Sequence, residues 1–276
     1  MLRLLHIEFI KLWNNKASKV LIIAYFTLLT SIALIAAIKF DIGPIKFHLA
    51  EQGIFNFPYI WHFNTFMASW LKLFLAIVIV SMVSSEYSNK TIKQNLIDGL
   101  SKKEFILSKF LTTISFSLIS TVFIFIVSLI LGYIYSDYNE LSIIFSDLEY
   151  LIAYFVKLLG FFSMCLFFGI LLKRSAFALG FMIILFFVEV FSYAYLGSKF
   201  TFESADKIYS FTPFGSLWKL IHEPLTRLSA VQTIGDQIGQ DLTSDYSVHW
   251  YQILIVLIWV AIFIYSSYAI LKKRDL

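Results

Sequence analysis

A single cysteine, Cys165, occurs in the 276 residues, which excludes a disulfide framework and a cysteine-built metal site. Charge is scarce as well. Asp, Glu, Lys and Arg make up 14% of the chain, against about a quarter in an ordinary soluble domain. No G-x-x-x-x-G-K-[ST] stretch is present, so this chain does not bind ATP through a P-loop. H-E-x-x-H and G-x-S-x-G are also missing. The histidines (His6, His48, His62, His222, His249) fall in separate segments without metal-ligand spacing. Short alternating segments of the β-barrel kind do not account for the apolar runs.

What the sequence does have is apolar length. It is 59% hydrophobic with 30 Phe, and its mean hydropathy is +0.79. Continuous apolar stretches of about 18 residues or more read as bilayer spans, so the expected class is an all-α integral membrane protein. Six spans are expected, at about 20–39, 62–84, 110–135, 149–172, 175–196 and 250–271. Residues 1–19 precede the first of these, which is long enough to span, and no cleavable signal peptide is expected. The fourth and fifth spans are joined only by Lys173, Arg174 and Ser175, a tight hairpin.

An even number of spans puts both termini on one side. With the termini cytoplasmic, inside segments carry 14 Lys/Arg and outside segments 6, which sets the orientation by the positive-inside rule. This distribution explains the formal net charge of +4 without a nucleic-acid partner.

The lead "MLRLLHIEFIKLWNNK" puts Leu2, Leu5, Phe9, Leu12 and Trp13 on one helical face, with Arg3, Lys11 and Asn14 opposite. That pattern fits a helix lying along the cytoplasmic interface; the alternative is an extension of the first span. Outside, residues 197–249 form the one long loop. Thr212 is a candidate N-cap and Pro213 a first helical residue. Phe214, Leu217, Trp218 and Ile221 follow at helical spacing, and a second piece runs from Pro224 through Leu225, Leu228, Val231 and Ile234. Both are too short to span and can lie on, dip into or cover the outer end of the bundle. Aromatic residues at span ends (Trp61, Tyr133, Tyr135, Tyr195, Trp250, Tyr251) fit an interfacial belt.

Three ionisable residues fall inside spans: Lys72, Lys157 and Glu189. Each costs about 2.5–3.5 kcal/mol on insertion scales, so partners are expected. Lys157 and Glu189 both lie about 12 Å from the outer ends of neighbouring antiparallel spans. They are expected to pair, or to share a wet cavity with Lys72. The alternative has the lysines snorkelling outward and Glu189 in a polar pocket.

Between the second and third spans, residues 85–109 hold eight charged side chains. Thr91 is a candidate N-cap for "IKQNLID" and Gly99 its stop; Ser101 with Glu104 forms a capping box leading into the third span. The segment reads as a rigid cytoplasmic knob, or as an ordinary solvated loop.

With Glu86, Thr91, the Leu96–Ile97 pair, Ser101 with Lys102, and Lys109, this segment resembles the signature of ABC-2 type ABC transporter permeases. Lys90 stands where that family often has Gly, and Leu100 where Pro is common. The lead helix, the six spans and the long outer loop extend the resemblance over essentially the whole chain.

The resemblance implies the membrane half of an exporter, not itself an enzyme and with no cofactor of its own. Two copies, or one copy and a sister permease, would bind two separately encoded ATPase subunits that carry ATP and Mg. The chain would sit in the bacterial cytoplasmic membrane. The 84–109 helix would be the coupling helix, with Thr91, Leu96 and Ile97 for seating and Glu86, Lys90 and Lys102 for orientation. Pro213, Phe214, Leu217 and Trp218 would line or gate the exit. The Phe-rich spans favour an amphipathic cargo such as a lipid, glycolipid, peptide or drug-like molecule. A scaffold or sensor that docks a cytoplasmic partner, and an ATP-independent carrier, are the other classes; against a carrier, no inverted repeat and no Gly/Pro-broken pair of spans is visible.

Overall fold

Apolar runs of this length become helices because a helix satisfies its backbone donors and acceptors internally where no water can. The computed structural model describes residues 2–36, 39–42, 45–48, 53–228, 231–232 and 245–274. Helix α1 covers Leu2–Asn14 and α2 covers Lys16–Ala36. A hairpin follows, β1 (Lys39–Ile42) antiparallel to β2 (Ile45–His48), with Lys39 opposite His48. Then come α3 (Tyr59–Trp70), α4 (Lys72–Ser88), α5 (Thr91–Ile97), α6 (Lys102–Tyr135), α7 (Leu141–Ile144) and α8 (Glu149–Leu172). The rest is α9 (Ser175–Lys199), α10 (Phe202–Tyr209), α11 (Pro213–Lys219), a 3₁₀ turn at Leu225–Arg227, and α12 (Trp250–Lys273).

Among the described residues, α6, the α7–α8 run, α9 and α12 are long and apolar enough to cross a membrane. The bent pair α3–α4 makes a fifth candidate. This is the mark of a helical membrane protein. α2, 21 residues long, covers most of the first expected span.

Helix α8 is the hub, packed against α3, α4, α6, α9 and α12. Gly160 makes one of these approaches possible: a Cβ there would lie 2.6 Å from Val256 of α12 and 2.9 Å from Leu217 of α11. Helix α6 turns Ser108, Thr112, Ser117 and Ser120 inward. Small residues let neighbouring helices come close, where tight packing substitutes for the missing hydrophobic drive. Their hydroxyls donate to carbonyls three or four residues back, Thr112 to Ser108 at 2.9 Å and Ser120 to Phe116 at 2.7 Å. Tyr25 and Tyr154 join α2 to α8 through their hydroxyls, 3.2 Å apart.

Several expectations need correction. The second span is not one helix. It bends by 45° at Leu71, where neither Gly nor Pro is present. The amide of Leu71 donates to Ala68 and that of Phe74 to Leu71, so the break is a tightened 3₁₀-like turn. Trp61 is not an interfacial anchor. It is fully buried, stacked on Phe125 with ring centroids 5.5 Å apart, and donates its indole N–H to Ile144 at 2.9 Å. Tyr133, Tyr195 and Trp250 are exposed, as a belt requires. In the outer loop, α11 forms where expected, while α10 was not foreseen. Of the second expected piece the turn at Leu225–Arg227 and Val231 are described, and Ile234 lies outside the described residues.

Candidate functional site

Two regions gather the charged and polar residues singled out above. The first lies where α1, α4, α5 and α6 meet. The Lys109 ammonium is buried between two carboxylates, 2.5 Å from Glu8 Oε2 of α1 and in direct contact with Glu86 Oε1 of α4. Lys11 adds a partly exposed third side, 3.2 Å from Glu86 and 3.4 Å from Glu8. Burial works against the Lys11 charge, but the two carboxylates more than offset it and raise its pKa above 10.5. Asn95 of α5 donates to the other Glu86 oxygen at 3.5 Å.

This cluster revises several roles. Glu86, expected to orient a partner, is 6% exposed and turned into the bundle. Leu5, Glu8, Phe9 and Leu12 form the inward face of α1, while Trp13 is exposed beneath Lys19, whose ammonium lies 4.8 Å from its ring. Glu8 was not singled out from the sequence, although a carboxylate within an apolar helical face was a readable signal.

Around α5, the N-cap is Lys90 and not Thr91. Lys90 has φ 58°, a left-handed conformation that Gly adopts without strain. Thr91 begins the helix and donates its hydroxyl to the Glu86 carbonyl at 3.4 Å. Ile92, missed by the sequence reading, is buried and holds α5 to the bundle; Leu96 is half-buried against the core. Ile97 is 76% exposed at the end of the helix. The capping box forms as expected. The Glu104 amide donates to Ser101 Oγ at 3.2 Å, and the Ser101 amide to Glu104 Oε2 at 2.9 Å. Lys102 donates to the carbonyl of Arg274 at 2.8 Å, binding the start of α6 to the end of α12.

The second region surrounds α11. Thr212 caps it, accepting from the Gly215 amide at 3.2 Å, and Pro213 opens it. Gly215 is required there, since a Cβ would lie 1.9 Å from the Tyr209 carbonyl. Glu189 does not pair with Lys157. Its carboxylate accepts from the amides of Phe214 at 2.9 Å and Gly215 at 3.2 Å, so it anchors the first turn of α11. Glu189 is ten residues from Lys199, about 15 Å along α9, so α11 sits well below the end of that helix. Trp259 of α12 donates to the Phe211 carbonyl at 2.9 Å, and Lys219 reaches Asp206 of α10 at 2.5 Å.

Beneath α11 lies a cavity of about 490 Å³ between α4, α8 and α9, lined by both Lys72 and Lys157. Phe214, Leu217 and Trp218 form its roof, with Trp218 edge-on to Trp70 at 5.7 Å. The Lys72 ammonium lies 4.9 Å from the centre of the Phe161 ring. Beyond α11 the chain clamps across the end of the bundle. Tyr59 donates to the Pro224 carbonyl at 2.6 Å, His62 to the His222 carbonyl at 2.9 Å, and Tyr150 to the Tyr246 carbonyl at 2.7 Å. His62 stacks on Tyr150 with centroids 4.3 Å apart, and Arg227 lies 3.7 Å from Asp147. Burial, and then the nearby Lys219, hold the His222 pKa below its ordinary 6.5.

No curated protein matches the chain. Residues 20–276 match the family described as a protein of unknown function, DUF2705. The match covers nearly the whole chain, which belongs to the DUF2705 family.

Proposed function

We propose that the chain is the membrane-spanning permease subunit of an ATP-driven ABC exporter. It would work with separately encoded ATPase subunits and a second permease copy, in a bacterial cytoplasmic membrane. The observation that carries this reading is α5. Seven residues long, it is pinned to the bundle by buried Ile92 and by the Asn95–Glu86 contact, yet holds Ile97 out in the open. A rigid short helix with an exposed apolar tip suits insertion into a groove of another protein. The left-handed Lys90 supports the resemblance to ABC-2 permeases, because the position where those proteins often carry Gly is one whose backbone favours it.

In this reading six spans are formed by α2, the α3–α4 pair, α6, α8, α9 and α12, with α1, α5 and both termini cytoplasmic. Helices α10 and α11 re-enter from outside, in keeping with the depth at which Glu189 holds α11. The Lys109 cluster makes the lead helix and the coupling segment one body, so a push on α5 is delivered to α1, α4 and α6 together. ATP and Mg belong to the partner, and the cargo is an amphiphile moving past the aromatic wall beneath α11.

A second reading, an ATP-independent carrier, draws on the bend at Leu71 beside Lys72, since broken spans often line carrier sites. Affinity purification of the tagged chain from its native membrane separates the two. An exporter permease brings down a P-loop ATPase in stoichiometric amount. Recovery of the chain alone, under conditions that preserve known membrane complexes, rejects the exporter reading.

A further inference from the structure

Lys109 shows how this fold treats a buried ammonium: it surrounds it with carboxylates. Lys72 and Lys157 are treated differently. Lys157 is 3% exposed and lines the cavity beneath α11, and among the described residues no carboxylate lies within 4 Å of either lysine. Glu189 reaches neither lysine: its Oε2 accepts from the α11 amides, and its Oε1, buried, has no hydrogen-bond partner among the described residues. A desolvated ammonium without a counter-charge is unfavourable; Lys157 is one, and the half-buried Lys72 lines the same cavity, so the two together suit an anion from elsewhere.

The walls say what else that anion must carry. Apart from Ser69 and Tyr209, which add hydroxyls, the lining is apolar and rich in aromatic side chains. The rim carries exposed Leu73 of α4 and Ile183 of α9, so the cavity opens sideways between those helices, toward the face that lipid would cover. Its volume of about 490 Å³ falls within the range of small-molecule sites, roughly 300–1,000 Å³. A free inorganic anion would satisfy the lysines but leave the apolar wall without a partner.

We propose that this cavity binds an amphiphile with an anionic headgroup, the anion between Lys72 and Lys157 and the alkyl chain leaving between α4 and α9. As a cargo site it rests on the exporter reading. As a binding site it does not, because binding is read on the chain alone.

The test uses the full chain purified in a non-ionic maltoside detergent, titrated with dodecyl phosphate, dodecylphosphocholine and inorganic phosphate, with binding followed by native mass spectrometry and calorimetry. Dodecyl phosphate is expected to bind saturably at one site, at least ten-fold tighter than dodecylphosphocholine and at least a hundred-fold tighter than inorganic phosphate. The double variant Lys72→Met/Lys157→Met should lose at least ten-fold in dodecyl phosphate affinity, while Lys72→Arg/Lys157→Arg keeps it. Ile183→Trp, a rim change that touches no charge, should weaken binding at least five-fold and guards against a misfolded double variant. Equal affinity for the two dodecyl ligands, or unchanged affinity in the Met variant, overturns the anionic headgroup. Inorganic phosphate binding as tightly as dodecyl phosphate overturns the amphiphile. Absence of an ATPase partner with these results intact would remove the exporter and leave the site.

Discussion

Lys109 of α6 and Glu8 of α1 stand 101 residues apart in the chain and 2.5 Å apart in the fold, both buried. With Glu86 on the same ammonium, the contact joins the lead helix, the end of α4 and the start of the long α6. Removing one partner of a buried pair strands the other charge and costs about 3–5 kcal/mol. Lys109→Met is expected to cost that much, read as a lowered unfolding midpoint in detergent. Glu8→Gln combined with Lys109→Met should cost less than the sum of the two single changes, since the double variant no longer strands that pair. Strict additivity would show that the contact carries no coupling.

Ile92 and Ile97 lie on the same short helix with opposite burial, so their variants should separate. Ile92→Ala is expected to destabilise the fold by about 1–3 kcal/mol, because it empties a buried site at the edge of the bundle. Ile97→Asp should change stability by no more than about 0.5 kcal/mol. In the reconstituted complex it should nonetheless abolish stimulation of the partner ATPase by the permease. Full stimulation with Ile97→Asp would remove the coupling role from α5.

Glu189 holds α11 through two backbone amides, and hydrogen bonds to a charged group are worth about 1.5–3 kcal/mol. Glu189→Gln should therefore speed amide hydrogen exchange over residues 214–219. Lys157→Met should leave it unchanged, since the two side chains do not pair. A matching acceleration in both variants would restore the pair.

The clamp over the end of the bundle should respond to pH through His222. Burial, and then Lys219, depress its pKa in the folded state, while Asp245, also close by, pulls the other way and is outweighed. Below about 6.5 the released segment takes up a proton that the docked segment does not, so docking is fully present above that pH and weakens as pH falls through and below it. Exchange over residues 220–228, corrected for intrinsic rates, should be faster at pH 5.5 than at 7.5, and His222→Gln should reduce the difference. An unchanged pH dependence in that variant would assign the effect to another group.

Much of this architecture is legible locally. The capping box at Ser101 and Glu104, the Thr212–Pro213 start of α11 and the hairpin at Lys173 all follow from residues within four positions of one another, and each forms. The Lys173 turn has φ 61°, ending α8 in the left-handed conformation that helix C-termini often adopt. The bend at Leu71 was not legible, because no Gly or Pro marks it. Trp61 was misjudged for a related reason: an aromatic near a span end belongs to the belt only if no neighbouring helix covers it, and here Phe125 of α6 does.

By itself the sequence determined the apolar helices, the charged segment that interrupts them, and the presence of lysines within apolar runs. Each follows from short-range rules of length, periodicity and desolvation. Only the tertiary structure decided which buried charges meet. Lys109 found Glu8 and Glu86, Glu189 turned to the α11 backbone, and Lys72 and Lys157 were left facing a cavity. The cost of a bare charge in an apolar helix is set by the residue, but its partner is chosen by whichever helix packs alongside.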